Sequence, residues 1–369
     1  MNTLAGVAPP ELAALAHLHP SDAAQRARSL AARLLRRHHP SIVHVGAADS
    51  VTPKHFMARL GALPSMRQIN RDLWAVTLAL PPRSRIEYKV AAVTGGHEEL
   101  RPDPLNPRTA SDPFGFNSVV NGPGYAVPEW VDPTAPHGSL YTSRVRSPSF
   151  HAIREVTTYL PIGYPEAAPY PLVVVHDGGD FRRHADLVAS LDGLISRRLI
   201  PPLIAVMTDP VNRLDEYGDD PGHADHVDAV IRHVSRRHRV ATDPRRWILL
   251  GASLGGVASL STAMRLGHDF GGLVLLSGSF VTARDDQKGR GAQFDRIVEF
   301  TRRVLEAPGS VPKRIAMACG AYENLAVDNR MMAEALGHHS EVIYEEAPDG
   351  HHWHNWRDRL GKALAHVLA

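Results

Sequence analysis

The sequence predicts a mainly parallel α/β sheet with helices on both faces, preceded by a small β-sandwich and a helical N-terminal segment. Three observations lead there. From about residue 150, short apolar runs alternate with amphipathic helical patterns, the signature of a parallel sheet covered on both faces. Between 41 and 125 the apolar residues instead recur at every second position. Before residue 38 they recur at helical spacing.

Taken in order, Leu12, Leu15, Leu18, Ala24, Leu30, Leu34 and Leu35 mark the helical segment over 10–38. Pro20-Ser21-Asp22 splits it, and Ser21 is a natural cap. Trp74, Val76, Leu78 and Leu80 alternate, as do Ile86, Tyr88 and Val90, with Pro81 and Pro82 between. This reads as hairpin-like strands of a sandwich over 39–125. Asp103–Val120 is crowded with Pro and Asn and reads as a loop. The Pro- and Gly-rich stretch over 126–145 reads as a linker before a catalytic domain over 146–369. In that domain strands are expected at 154–160, 172–176, 203–208, 247–250, 273–276, 314–319 and 342–345. Helices are expected at 184–199, 224–238, 255–267, 294–306 and 328–337.

Bulk properties exclude several classes. The 369 residues carry a formal net charge of +2, which gives no footprint for a nucleic-acid partner. A single cysteine, Cys319, permits neither an intrachain disulfide nor a cysteine zinc cluster. The 22 histidines invite a metal reading, yet no H-E-x-x-H is present. No stretch approaches a membrane span, and the N-terminus lacks the form of a secretory signal. The expectation is a cytoplasmic protein with no membrane or nucleic-acid partner and no cofactor. A homodimer stays open.

The chemistry starts at WILLGASLGGVASL, Trp247–Leu260. An apolar strand runs into Gly251-Ala-Ser253-Leu-Gly255, and a helix follows at once. A strand turning directly into a helix forces the serine into strained backbone angles, and small neighbours make room for the turn. Ser253 is therefore a candidate nucleophile, with the Leu254 amide as half of an oxyanion hole at the positive end of the helix. The other reading is a glycine-rich bend that packs a helix on a strand.

A serine hydroxyl needs a base, and the base an orienting acid. Glu323 follows the strand ending at Cys319, and Asp328 lies five residues on at the start of a helix, where the dipole alone explains a carboxylate. Glu323 is the preferred acid. After the last strand, GHHWHNW supplies His351, His352 and His354 as candidate bases. His351, directly after Gly350, is the first that can turn back over the sheet. The turn His176-Asp177-Gly178-Gly179 after an early strand can expose a second oxyanion amide, with Gly179 or Asp180 as its source.

Strand–HDGGDF, GASLGG, CGAYEN and GHHWHNW together resemble the putative esterase group of α/β-hydrolases, which includes enterochelin (siderophore) esterases, feruloyl esterase domains, S-formylglutathione hydrolases and bacterial mycolyltransferases. The ending G-H-x-W-x-x-W, here Gly350 to Trp356, supports His351 over its neighbours. Met66, Arg67, Asp72 to Pro81 and Asp103 to Pro107 resemble the N-terminal domain of enterochelin esterases. The resemblance covers about 40–365. It implies an α/β-hydrolase fold and an acyl-enzyme mechanism, with a ferric catecholate siderophore lactone as the leading substrate. A feruloyl or aryl ester, an acyl transfer, or a non-catalytic binding protein are the alternatives. Arg182, Arg183 and Arg213 are candidate contacts for an anionic substrate, and Trp353 a candidate pocket wall.

Overall fold

The computed structural model of the chain describes residues 6, 8–37, 39–54, 64–166, 169–284 and 291–369. The chain divides into two compact units, 1–126 with 320–324 and 347–352, and 127–319 with 325–346 and 353–369.

Among the described residues of the first unit, α1 (Pro10–Ala14) and α2 (Pro20–Arg36) precede eight strands: β1 (Ser41–Val45), β2 (Ser50–Lys54), β3 (Arg67–Asn70), β4 (Leu73–Thr77), β5 (Arg85–Thr94), β6 (His97–Arg101), β7 (Thr109–Asp112) and β8 (Gly115–Asn121). They form a three-stranded sheet, β1-β4-β3, and a five-stranded sheet, β2-β5-β8-β7 with β6 on β5. Period 2 explains how β4 serves two cores. Leu73 and Ala75 face Ala23, Ala27, Leu30 and Leu34 of α2, while Trp74 and Val76 join Ile42, Val51, Ile86, Tyr88 and Val90 between the sheets. Each Leu, Ile or Val buried this way contributes roughly 1.5–3 kcal/mol.

The two alternating runs around Pro81-Pro82 are not a hairpin, because β4 and β5 lie in different sheets. Two prolines lack the N–H groups a ladder needs, and the chain crosses over there. The stretch expected as loop, Asp103–Val120, holds β7 and β8, a hairpin through Pro113-Phe114. Its Asp and Asn density reflects side chains that fold the approach. Asp103 Oδ1 accepts from Leu105 N, Asn106 Oδ1 accepts from Arg108 N, and Asp103 Oδ2 accepts from Tyr88 O–H at 2.6 Å.

The second unit is an eight-stranded sheet in the order β16-β15-β14-β13-β11-β12-β10-β9. Its elements are β9 (Ser139–Ser147), β10 (Ala152–Leu160), β11 (Leu172–His176), α3 (Gly178–His184), α4 (Leu187–Ser196), β12 (Ile204–Thr208), α5 (Arg213–Tyr217), α6 (Pro221–Ser235), β13 (Trp247–Ala252), α7 (Leu254–Leu266), β14 (Gly272–Leu276), α8 (Asp295–Glu306), β15 (Arg314–Gly320), α9 (Ala326–Gly337), β16 (Glu341–Ala347) and α10 (Trp353–Val367). β11–β15 run parallel, and β9 and β10 are antiparallel additions at one edge. Each expected strand from 154 onward is found. β9 begins inside the stretch read as linker, since its largely exposed residues, with Leu140 and Tyr141 adjacent, give no alternating apolar pattern. The helix expected at 184–199 is two helices, because Asp186 takes a left-handed conformation (φ 46°) between α3 and α4. This is the α/β-hydrolase fold.

Candidate active site

Ser253 sits between β13 and α7 at φ 56°, ψ −121°, a region that non-glycine residues rarely occupy. Its N–H donates to Leu276 O at 2.8 Å, which ties the strained turn to β14. Gly251 is required by close approach, since a Cβ there would meet Gly255 O at 2.1 Å. Leu254 is the first residue of α7, where backbone N–H groups lack intrahelical partners and the dipole is positive.

The loop after β14 also touches this serine. Ser279 N donates to Ser253 O at 3.0 Å, and the two hydroxyl oxygens lie 3.2 Å apart. Phe280 and Val281 of this loop are buried, Asn329 Nδ2 donates to Gly278 O, and Trp356 Nε1 donates to Ser277 Oγ. Sequence reasoning missed Ser279; its only signal is a second serine in SGSF one strand beyond the nucleophile motif.

The turn after β11 departs from expectation. Asp177 takes a left-handed conformation (φ 52°), and α3 starts at Gly178. Gly179, expected as an oxyanion donor, gives its N–H to Asp209 Oδ1 at 2.9 Å, and Asp180 N donates to Asp177 O. Asp209 follows β12, which flanks β11 on the side away from β13, so the Gly179 N–H is committed there. Arg213, expected as a substrate contact, grips Asp177 instead. Nε donates to Oδ1 at 2.9 Å and Nη2 to Oδ2 at 2.8 Å, and Nη2 also reaches the carbonyl of Ala252 at 3.4 Å. Its bidentate edge is thereby used up. Tyr217 O–H accepts from Asp177 N at 2.9 Å. Arg213 and Tyr217 thus hold the turn from two sides.

The acid and base candidates follow β15 and β16. Glu323, fully buried, accepts from Gly320 N through Oε1 and meets His351 Nδ1 through Oε2, both at 2.7 Å. Gly320 has to be glycine here, since a Cβ would lie 2.4 Å from Asp349 O. In the tautomer with Nδ1 donating to the carboxylate, Nε2 is the ring nitrogen that would exchange a proton. Asp328 sits instead in the first turn of α9. His352 is engaged elsewhere, with Nε2 at 2.6 Å from Asp349 Oδ1 and Nδ1 at 3.1 Å from Arg85 Nη1. Burial opposes its charge, but the Asp349 and Glu87 carboxylates outweigh burial and raise its pKa. His354 lies on α10.

Arg182 and Arg183 line a polar cavity of about 130 Å³ with Glu155, Thr157, Gly179 and Asp209. Arg183 is paired with Asp180 at 2.5 Å. Trp353, expected as a pocket wall, is turned inward. It is 8% exposed and packs edge-on against Phe181 and Trp356, with centroids 5.3 and 4.7 Å away, inside the core under the sheet. The aromatic pair in G-H-x-W-x-x-W seats α10.

Residues 147–367 match the family described as putative esterase. The iron(III) salmochelin esterase of Escherichia coli O6:H1 is 24% identical over 364 residues, covering 89% of this chain and 84% of that protein. The uncharacterized protein YbbA of Bacillus subtilis is 27% identical over 146 residues, covering 34% of this chain but only 57% of YbbA. Among solved structures, the enterobactin esterase of Shigella flexneri in the presence of enterobactin superposes with a TM-score of 0.73 at 19% identity, over 89% of this chain and 92% of that one. A ferulic acid esterase superposes with a TM-score of 0.54 at 18% identity, over 63% and 98% respectively. The structural likenesses bear on the fold. The family match spans more than half of the chain, from the last residue of β9 to the end of α10, and on that ground the chain belongs to the putative esterase family of carboxylic-ester hydrolases.

Proposed function

We propose that Ser253 is the nucleophile, His351 the general base and acid, and Glu323 the carboxylate that orients the imidazole. The observation that carries this reading is the 2.7 Å bond between His351 Nδ1 and buried Glu323. The strained turn at Ser253 supports it. Ser253 Oγ bonds to the ester carbonyl carbon while its proton passes to His351 Nε2. The oxyanion is met by the Leu254 amide. As the C–O bond to the leaving alcohol breaks, His351 returns the proton to that oxygen. Water then gives a proton to His351 and bonds to the acyl carbon; as the bond from that carbon to Ser253 Oγ breaks, His351 returns the proton to Oγ and the acid is released. The Gly179 N–H, expected as the second donor, is held by Asp209 Oδ1 in this geometry, so the reading assigns the oxyanion to Leu254.

The proposed ester is the lactone of a catecholate siderophore, with or without iron. Similarity to the iron(III) salmochelin esterase over 89% of this chain supports it, because that span takes in the N-terminal unit as well. The reading places the enzyme in the cytoplasm acting on a dissolved substrate. Among the described residues no helix is long and apolar enough to cross a membrane.

Chromatography of a catecholate trilactone, free and iron-loaded, after incubation with the enzyme tests the substrate. Linear and monomeric products from wild type, and none from Ser253→Ala, are expected. An intact lactone beside rapid turnover of simple aryl esters would remove the siderophore.

A further inference from the structure

The loops carrying Glu323 and His351 are built into the N-terminal unit. Residues 320–324 and 347–352 cluster with 1–126. Tyr322, the neighbour of Glu323, is 9% exposed and lies in the sandwich core with Ile42, Trp74, Ile86 and Tyr88. On the base loop, Arg85 N donates to Pro348 O at 3.3 Å. Arg85 Nη1 donates to Glu87 Oε1 at 2.9 Å and lies 3.1 Å from His352 Nδ1, while His352 Nε2 meets Asp349 Oδ1. Asp349 Oδ1 also accepts from Gly350 N at 2.8 Å, and Tyr322 N donates to Asp349 O at 3.2 Å, which links the two loops. The side chains of Arg85, Glu87, His352 and Asp349 are all at most 10% exposed.

A buried cluster of four ionisable groups is a costly way to stabilise a fold, since apolar residues of similar volume do as well or better. What such a cluster supplies is a fixed geometry, and here it ends one residue from His351. We propose that the N-terminal unit is a positioning module for the acid–base pair: Arg85 and Glu87 on β5 hold Asp349 and His352, and the sandwich core holds Tyr322, so that His351 Nδ1 stays on Glu323. A shift of about 1 Å in a catalytic group lowers turnover by up to about a hundredfold. Loosening this cluster therefore lowers kcat and leaves substrate binding alone. The inference rests on His351 being the base.

The test compares His351→Ala, Arg85→Lys and Glu87→Gln with wild type on an aryl ester. Glu87→Gln keeps its shape and Arg85→Lys its charge, so each covers for the other should one fail to fold. The expected result is an inactive His351→Ala, and a kcat at least tenfold lower for folded Arg85→Lys and Glu87→Gln with KM within about twofold. The low-field proton resonance of the His351–Glu323 bond should also shift or broaden well below the melting temperature. Wild-type kcat in both folded variants overturns the proposal, as does a lowered kcat with that resonance unmoved. Activity retained by His351→Ala overturns the base assignment instead.

Discussion

At the scale of single residues, Ser253 is held by more than its glycines. Ser279 places a second hydroxyl 3.2 Å from Ser253 Oγ on a loop anchored by buried Phe280. A hydrogen bond of this kind is worth about 1 kcal/mol. Ser279→Ala should therefore slow the enzyme about five- to tenfold, by the same factor for every ester, because it acts on the nucleophile and not on substrate. Unequal losses across a series of esters would contradict this. Arg213 makes a second case. Read from sequence it was a contact for an anionic substrate, but the structure spends its fork on Asp177. Arg213→Lys cannot bridge both oxygens. It should lower kcat about tenfold on neutral and anionic esters alike; a rise in KM confined to anionic esters would restore the sequence reading.

The difference between these two residues shows what a sequence displays. Ser253, Glu323 and His351 follow strand ends in the order of a Ser, acid, His motif, so periodicity and turn chemistry mark them as candidates. What Arg213, Trp353 and the Gly179 amide face depends on contacts with residues distant in sequence. Asp177, Phe181 and Asp209 decide that, and no local pattern encodes them.

At the scale of elements, the parallel strands were legible because they are short, apolar and bounded by helical periods. β7, β8 and β9 were not, because a hairpin or edge strand with one wet face carries few apolar residues. The junction of β11 and α6 carries a further consequence. His176 at the end of β11 and His223 and His226 on α6 are buried together, with ring centroids 5.1 Å apart for the first pair and 6.4 Å for the second. Tyr217, Glu216 bound to Arg154, Ser259 and Thr208 surround them. Burial, with His226 adding repulsion for His176 and Arg154 for His226, pulls both pKa values down to about 4, and His223 is lowered as well. The folded state resists protons that the unfolded chain accepts below about pH 6.5. Stability from the cluster is present above pH 6.5 and is lost as pH falls toward 4, by up to about 3 kcal/mol for each of His176 and His226 taken alone. His352, raised in the folded state, works in the opposite direction. Its contribution is complete below pH 6.5, so it does not mask the loss. Melting temperatures should fall steeply from pH 6.5 to 4.5, and less steeply in His226→Gln, which can still bond Thr208. Equal slopes for the two proteins would contradict this.

At the scale of the whole molecule, sequence alternation revealed the sandwich and helical period the N-terminal segment, while the partner of each stayed hidden. The structure supplies these. α2 covers the outer face of the β1-β4-β3 sheet through Ala23, Ala27, Leu30 and Leu34. The loops bearing Glu323 and His351 cluster with this same unit although they are remote from it in sequence. Such long-range closure leaves no trace in spacing, whereas the Ser, Glu, His order along the chain does.

The central claim is that Ser253 performs the chemistry on the ester. Its most direct test is to label the protein with an aryl-ester-mimicking fluorophosphonate, map the adduct by peptide mass, and measure aryl-ester turnover of wild type and Ser253→Ala in parallel. The account predicts one adduct, on Ser253, and a loss of at least about a thousandfold in kcat for Ser253→Ala with an unchanged melting profile. An adduct on another residue, or turnover that survives in Ser253→Ala, would contradict it.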